Sequence, residues 1–113
     1  MEMSLDPIEL LQINLELSIQ AKSSFLKDAK MFETFSDAVN TVVSRYKNGG
    51  RLYIAGNGGS AADAQHLAAE FVSKLARIRA PLPAEALTVD SSILTAIGND
   101  YGYDFIFSRQ LEG

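Results

Sequence analysis

Cysteine and tryptophan are absent from the 113 residues, and histidine occurs once, at position 66. Without cysteine, disulfides and thiolate metal sites are excluded. That composition suits a reducing compartment, and the cytoplasm is the expected location. No apolar run approaches the roughly 18 residues of a membrane span. The N-terminus has no basic segment followed by an apolar one, so no signal peptide is expected. A net charge of −4 without a dense Lys/Arg patch argues against nucleic acid as a partner. Repeats and low-complexity stretches are missing too. What remains is an ordinary globular composition, 47% hydrophobic and 21% charged, at a length fit for one domain or part of one.

Two helices are expected first. Asp6-Pro7 is a helix start, with Asp as cap and Pro in the first turn. Ile8, Leu11, Leu15 and Ile19 then recur at helical spacing and form one apolar stripe, with an end expected near Lys27. A second stripe, Phe32, Phe35, Val39, Val42, Val43 and Tyr46, is closed by Lys47-Asn48-Gly49-Gly50, with Gly49 the natural stop. Neither helix carries an evident chemical group. Residues 1–48 therefore read as a helical segment for packing or subunit contact.

From residue 49 to 113 the pattern changes to strand, helix, strand, helix. Arg51–Ala55 is a short apolar run ending in glycine, the signature of a buried parallel strand. A helix is expected from about Ala61 to Arg77, capped by Ser60 with Asp63 three residues on. Pro81 and Pro83 lead into a second strand over Ala84–Val89, where Glu85 is an odd charge in an apolar run. Asp90-Ser91-Ser92 opens a short helix to Gly98, followed by a polar turn over Asn99–Asp104 and another helix from Phe105. The class is α/β with a right-handed crossover. Two strands do not make a parallel sheet covered on both faces, so a fragment of a longer domain is expected.

Chemistry concentrates between Gly56 and Glu70. Gly56-Asn57-Gly58-Gly59-Ser60 lies between a strand and a helix, where glycines let backbone approach a ligand and the helix offers free N–H groups. Ser60 adds a hydroxyl donor. The competing reading is a tight turn. A Walker A loop is excluded, because no Gly-Lys-Ser/Thr follows. Gly56-x-Gly58-x-x-Ala61 fits the loose dinucleotide fingerprint, but the acidic residue expected about 20 positions on is missing. His66 and Glu70, four residues apart, leave one face of the helix. They suit either a surface contact or two ligands of a Zn²⁺ site that needs others from elsewhere. Asn99 and Asp100 emerge where ligands bind in open α/β sheets, or are simply a capped turn.

These residues, in order, resemble the phosphoheptose isomerases of the SIS (sugar isomerase) superfamily. The likeness runs through Ala55–His66, Ala69-Glu70-Phe71-Val72, Pro81–Ala84, Ala86–Thr88, Leu94–Tyr103 and Phe107–Gln110. It implies a five-stranded parallel sheet flanked by helices, in a homotetramer with active sites shared between subunits. It implies conversion of sedoheptulose 7-phosphate to D-glycero-D-manno-heptose 7-phosphate through an enediolate, toward bacterial lipopolysaccharide core. By that resemblance Asn57, Gly58, Gly59, Ser60, Asn99 and Asp100 contact substrate. His66 and Glu70 match zinc ligands, and Glu70 the catalytic acid/base. The family's Ser-Thr-Ser-Gly-Asn-Ser phosphate segment and its later Gln and His are not among these residues, so the 113 residues alone are expected to be inactive. Two other readings are a non-catalytic SIS protein that binds the bacterial replication initiator and a regulatory domain binding sugar phosphate. Glu70, missing from the former, favours the enzyme.

Overall fold

The computed structural model describes residues 6–113. The chain divides into two compact units, one ending at Thr41 and one beginning at Val42. In the first, α1 spans Pro7–Leu26, and α2, Ala29–Lys47, runs on into the second. Asp6 caps α1 by accepting from the Ile8 N–H at 3.3 Å, and Asp28 does the same for Met31 at 3.1 Å. No residue of α1 is buried. The expected stripe is incomplete. At about 100° per residue, Leu10, Ile13 and Leu17 lie opposite Ile8, Leu11, Leu15 and Ile19, and all seven are exposed. The helix is apolar on two sides.

α2 ends as its sequence suggests. Gly49 takes φ +78°, the Gly50 N–H reaches the Arg45 carbonyl at 2.7 Å and the Gly49 N–H that of Tyr46 at 3.1 Å. This is a Schellman arrangement.

The second unit holds a parallel pair, β1 (Leu52–Ile54) and β2 (Ala84–Ala86), in register Leu52↔Ala84, Tyr53↔Glu85, Ile54↔Ala86. The connection between them contains α3, Gly59–Val72. Period-two alternation sends Ile54, Ala84 and Ala86 toward α3, where Ala64 and Ala68 meet them. Alanine on both sides lets helix and strands approach closely. Tyr53 and Glu85 point to the other face, which is open here. The expectation of fully buried strands therefore holds for one face only. It also accounts for Glu85, which lies exposed with a carboxylate oxygen 3.6 Å from Arg51.

Several element boundaries depart from the expectation, among them the end of β2, which stops at Ala86 and not at Val89. α3 begins two residues before Ala61, because Gly58 and not Ser60 occupies the cap position, and no side chain caps it. The Ser60/Asp63 capping box does not form. α3 also stops at Val72 instead of Arg77. The Arg79 guanidinium takes the Phe71 and Glu70 carbonyls, each at 2.8 Å, and the Leu82 N–H also donates to Phe71. With those acceptors occupied, the next turn has nothing to continue from. Finally α4 spans Ser91–Asp100, capped by Asp90 through the Ile93 N–H at 2.9 Å. Asn99 and Asp100 thus form its last turn, not a loop beyond it. A 3₁₀ turn (Tyr103–Phe105) and α5 (Ser108–Glu112) replace the single helix expected from Phe105.

Candidate functional site

β1 and β2 both run their carboxyl ends to the same edge, and the two segments leaving them line one cleft of about 290 Å³. Gly56, Asn57 and Gly58 come from the exit of β1, with Ala61 from the first turn of α3. Thr88 comes from the exit of β2, Leu94, Thr95 and Gly98 from α4, and Tyr103, Ile106 and Phe107 close the far side. This is the place where open α/β sheets bind ligands.

Two glycines are required by the loop itself. Gly58 sits at φ +57°, ψ −123°, and the Ser60 N–H donates to the Asn57 carbonyl at 3.0 Å. That is the first central position of a type II′ turn, which glycine fills without strain. At Gly56 a Cβ would fall 2.6 Å from the Ser60 carbonyl oxygen, so only a bare backbone passes beneath the first turn of α3. Ser60 and Ala61 spend their N–H groups on the Asn57 and Gly58 carbonyls, at 3.0 and 3.1 Å, so in this turn the Gly58 and Gly59 N–H groups are the ones left for an anion. Short hydrogen bonds commit two of the cleft's three hydroxyls, and the third, Thr88, makes a longer contact. Thr95 donates to the Ser91 carbonyl at 2.6 Å and Thr88 to that of Ala61 at 3.4 Å, while Tyr103 donates to Asn57 Oδ1 at 2.7 Å.

His66 and Glu70 share a face of α3, with Nε2 3.2 Å from Oε1; the imidazole is 80% exposed and the carboxylate 25%. That spacing fits two donors on one Zn²⁺, since bonds of about 2.1 Å at a tetrahedral angle put ligand atoms roughly 3.4 Å apart. It fits equally a hydrogen bond between the two side chains. Among the described residues no third His, Cys, Asp or Glu joins them, so those residues supply at most half of a four-coordinate His/Cys/Asp/Glu set.

The sequence-predicted residues do not all converge. Asn57 and Gly58 line the cleft, and Gly59 and Ser60 stand beside it in the first turn of α3. Glu70 lies about 14 Å further along the helix axis than Ala61, at roughly 1.5 Å per residue. Asn99 and Asp100 face outward; Asn99 Nδ2 donates to Asp100 at 3.2 Å, and Asp100 borders a separate hollow with Tyr101 and Arg109. There Arg109 lies 3.7 Å over the Tyr101 ring. Sequence reasoning missed Tyr103 and Arg79, which act across 46 and nine residues respectively. No local spacing announces such contacts.

A parallel strand–glycine loop–helix unit with its cleft at the strand ends defines an α/β domain of the open-sheet class. The SIS domain family matches residues 19–113, and the chain belongs to that family. It is 51% identical over 102 residues to a phosphoheptose isomerase of Clostridium acetobutylicum, a match covering 90% of this chain and 52% of that protein. With a Roseiflexus phosphoheptose isomerase it shares 65% identity over 71 residues, 63% of this chain and 36% of the relative. Among solved structures, the phosphoheptose isomerase of Neisseria gonorrhoeae superposes with a TM-score of 0.82 at 41% identity, covering 95% of this chain and 54% of that one. That of Francisella tularensis gives 0.85 at 34% identity, with 95% and 55% covered. The resemblance read from the motifs is thereby borne out. The chain spans about half the length of the relatives it matches.

Proposed function

We propose that this chain is the glycine-loop part of an aldose–ketose isomerase that converts sedoheptulose 7-phosphate to D-glycero-D-manno-heptose 7-phosphate. The observation that carries the reading is the Glu70–His66 pair at 3.2 Å on the helix that the glycine loop opens. Similarity to phosphoheptose isomerases over 90% of the chain supports it. In this reading the Glu70 carboxylate takes the proton from C1, the bond electrons form a C1=C2 enediolate, and the proton is returned at C2. The O–H proton passes between O1 and O2 in the same interval. Asn57 and the N–H groups of Gly58 and Gly59 hold substrate oxygens, with the Ser60 hydroxyl, Asn99 and Asp100 as further contacts. His66 and Glu70 would hold Zn²⁺ together with donors from outside this chain; when bound, the ion supplies Lewis-acid polarisation of the carbonyl.

The separation between the cleft and Glu70 is consistent with an active site completed by another subunit, and the apolar α1 offers surface for a homotetramer. The reaction belongs, on this reading, to the cytoplasm and to the supply of lipopolysaccharide-core heptose. No helix among the described residues is long and apolar enough to cross a membrane.

Glu70→Gln in the full-length protein tests the assignment. The amide keeps the size of the side chain but accepts no proton, so turnover of sedoheptulose 7-phosphate is expected to fall at least about 100-fold, the low end for a positioned base, with melting unchanged. Retained turnover would sink the reading. Chelation is expected to slow the same assay, and an unaffected rate removes zinc from it.

A further inference from the structure

We infer that Tyr103 is a positioning residue that sets which end of the Asn57 carboxamide faces the cleft. The inference rests on the reading of that cleft as a sugar-phosphate site, and it names the donor by which the site takes hold of ligand oxygen.

Tyr103 Oη stands 2.7 Å from Asn57 Oδ1. That length is typical of O–H···O and short for N–H···O, which centres near 2.9–3.0 Å. The phenol therefore donates and the amide oxygen accepts, leaving both Nδ2 protons free, since Nδ2 has no partner among the described residues. The rest of the lining makes this orientation matter. Thr95 directs its proton to the Ser91 carbonyl at 2.6 Å, so toward a ligand its hydroxyl only accepts, while Thr88, 3.4 Å from the Ala61 carbonyl, is held loosely. The other lining side chains are apolar, and the glycines have none. Among the lining residues Asn57 Nδ2 is thus the amide donor that the protein leaves wholly free for a ligand in the cleft. The alternative amide orientation would turn an acceptor inward beside two acceptors, and would repel phosphate or carbonyl oxygen.

The ligand class follows. The cleft takes an oxygen without a proton to give against Asn57 and hydroxyl donors against Thr88 and Thr95, as a polyhydroxy phosphate ester provides. Tyr103 reaches this position because Gly102, at φ +110°, turns the chain after α4 back over the loop.

The clamp is testable without a ligand. In ¹H–¹⁵N spectra of the full-length protein, Tyr103→Phe is expected to move the Asn57 side-chain amide pair while leaving the fold intact; an unmoved pair overturns the inference. Its consequence is read in steady-state kinetics with sedoheptulose 7-phosphate. Losing one ordinary hydrogen bond predicts a rise of about three- to tenfold in KM for Tyr103→Phe, with kcat within about twofold. In the Asn57→Ala background the same change is expected to add nothing, whereas multiplying effects would mean that Tyr103 acts elsewhere. Asn57→Asp keeps an acceptor for the phenol but offers no donor, so it is expected to raise KM at least as much as Asn57→Ala. A smaller rise would overturn the role given to Nδ2. If the wild-type protein does not turn over the sugar phosphate, the isomerase reading fails and the clamp stands or falls on the amide spectrum alone.

Discussion

Gly56, Gly58 and Gly59 lie within four positions, yet the same substitution at each should have three different outcomes. At Gly56 an alanine Cβ would stand 2.6 Å from the Ser60 carbonyl oxygen and 2.7 Å from both the carbonyl carbon and Cβ of Ser60. Carbon contacts are comfortable at about 3.5–4.0 Å, so the shortfall is close to 1 Å. The atoms in the way are mostly helix backbone, which cannot rotate aside. Overpacking of that kind costs typically about 1–3 kcal/mol, and the upper half of the range is expected. At Gly58 there is open space, but φ +57° with ψ −123° is strained for any side chain, a cost of order 1–3 kcal/mol. Gly59 is the first helical residue, and a methyl group there would meet nothing within 4 Å. Alanine at that position should be neutral or stabilise by about 0.4–1 kcal/mol through the unfolded chain. Thermal melts of the full-length variants at one fixed protein concentration give the order Gly59→Ala above Gly58→Ala and Gly56→Ala. At the length of the relatives, about twice that of this chain, each kcal/mol corresponds to about 2–4 °C. Gly56→Ala melting together with Gly59→Ala would refute the close approach and, with it, the packing that aims Asn57 into the cleft.

Two further variants probe the supports of α3. Arg79→Ala removes hydrogen bonds to the Glu70, Phe71 and Ala80 carbonyls. Because water can replace them, a loss of only about 1–2 kcal/mol is expected by denaturant titration, with a larger proportional loss of turnover since Glu70 is displaced. Unchanged melting and turnover would mean that the helix ends without this bracket. Tyr46 packs against Phe71 and donates to the Pro83 carbonyl at 2.8 Å. Burial pushes its phenol above the ordinary value of 10.0, while the Arg79 charge pulls it down by less. The folded state therefore keeps the proton to higher pH than the unfolded state. That contribution to stability is complete below pH 10.0 and is lost as pH rises through the folded-state value. Tyr46→Phe should cost about 1 kcal/mol at neutral pH and flatten the alkaline decline; an equally steep decline would assign it to other groups.

Much of the candidate site was legible where the signal is local. The strand–loop–helix order around Gly56–Gly58 and the shared face of His66 and Glu70 follow from side-chain periodicity and the conformational range of glycine. Boundaries were less legible. Ser60 has the chemistry of a cap, but Gly58 turns the chain first. Lys74–Arg77 continue a helical pattern, but Arg79 has already taken the carbonyls that the next turn needs. Asn99 and Asp100 look like a loop by composition, yet the run of α4 carries through them.

By itself, then, the sequence determined the family, the α/β order and the candidate residues of the site, because each rests on spacing along one element. Only the tertiary structure decided which of them meet. It joined Tyr103 to Asn57 across 46 residues and paired Glu85 with Arg51 on the open sheet face. Contacts between distant segments depend on how elements pack, and no periodicity within an element encodes them.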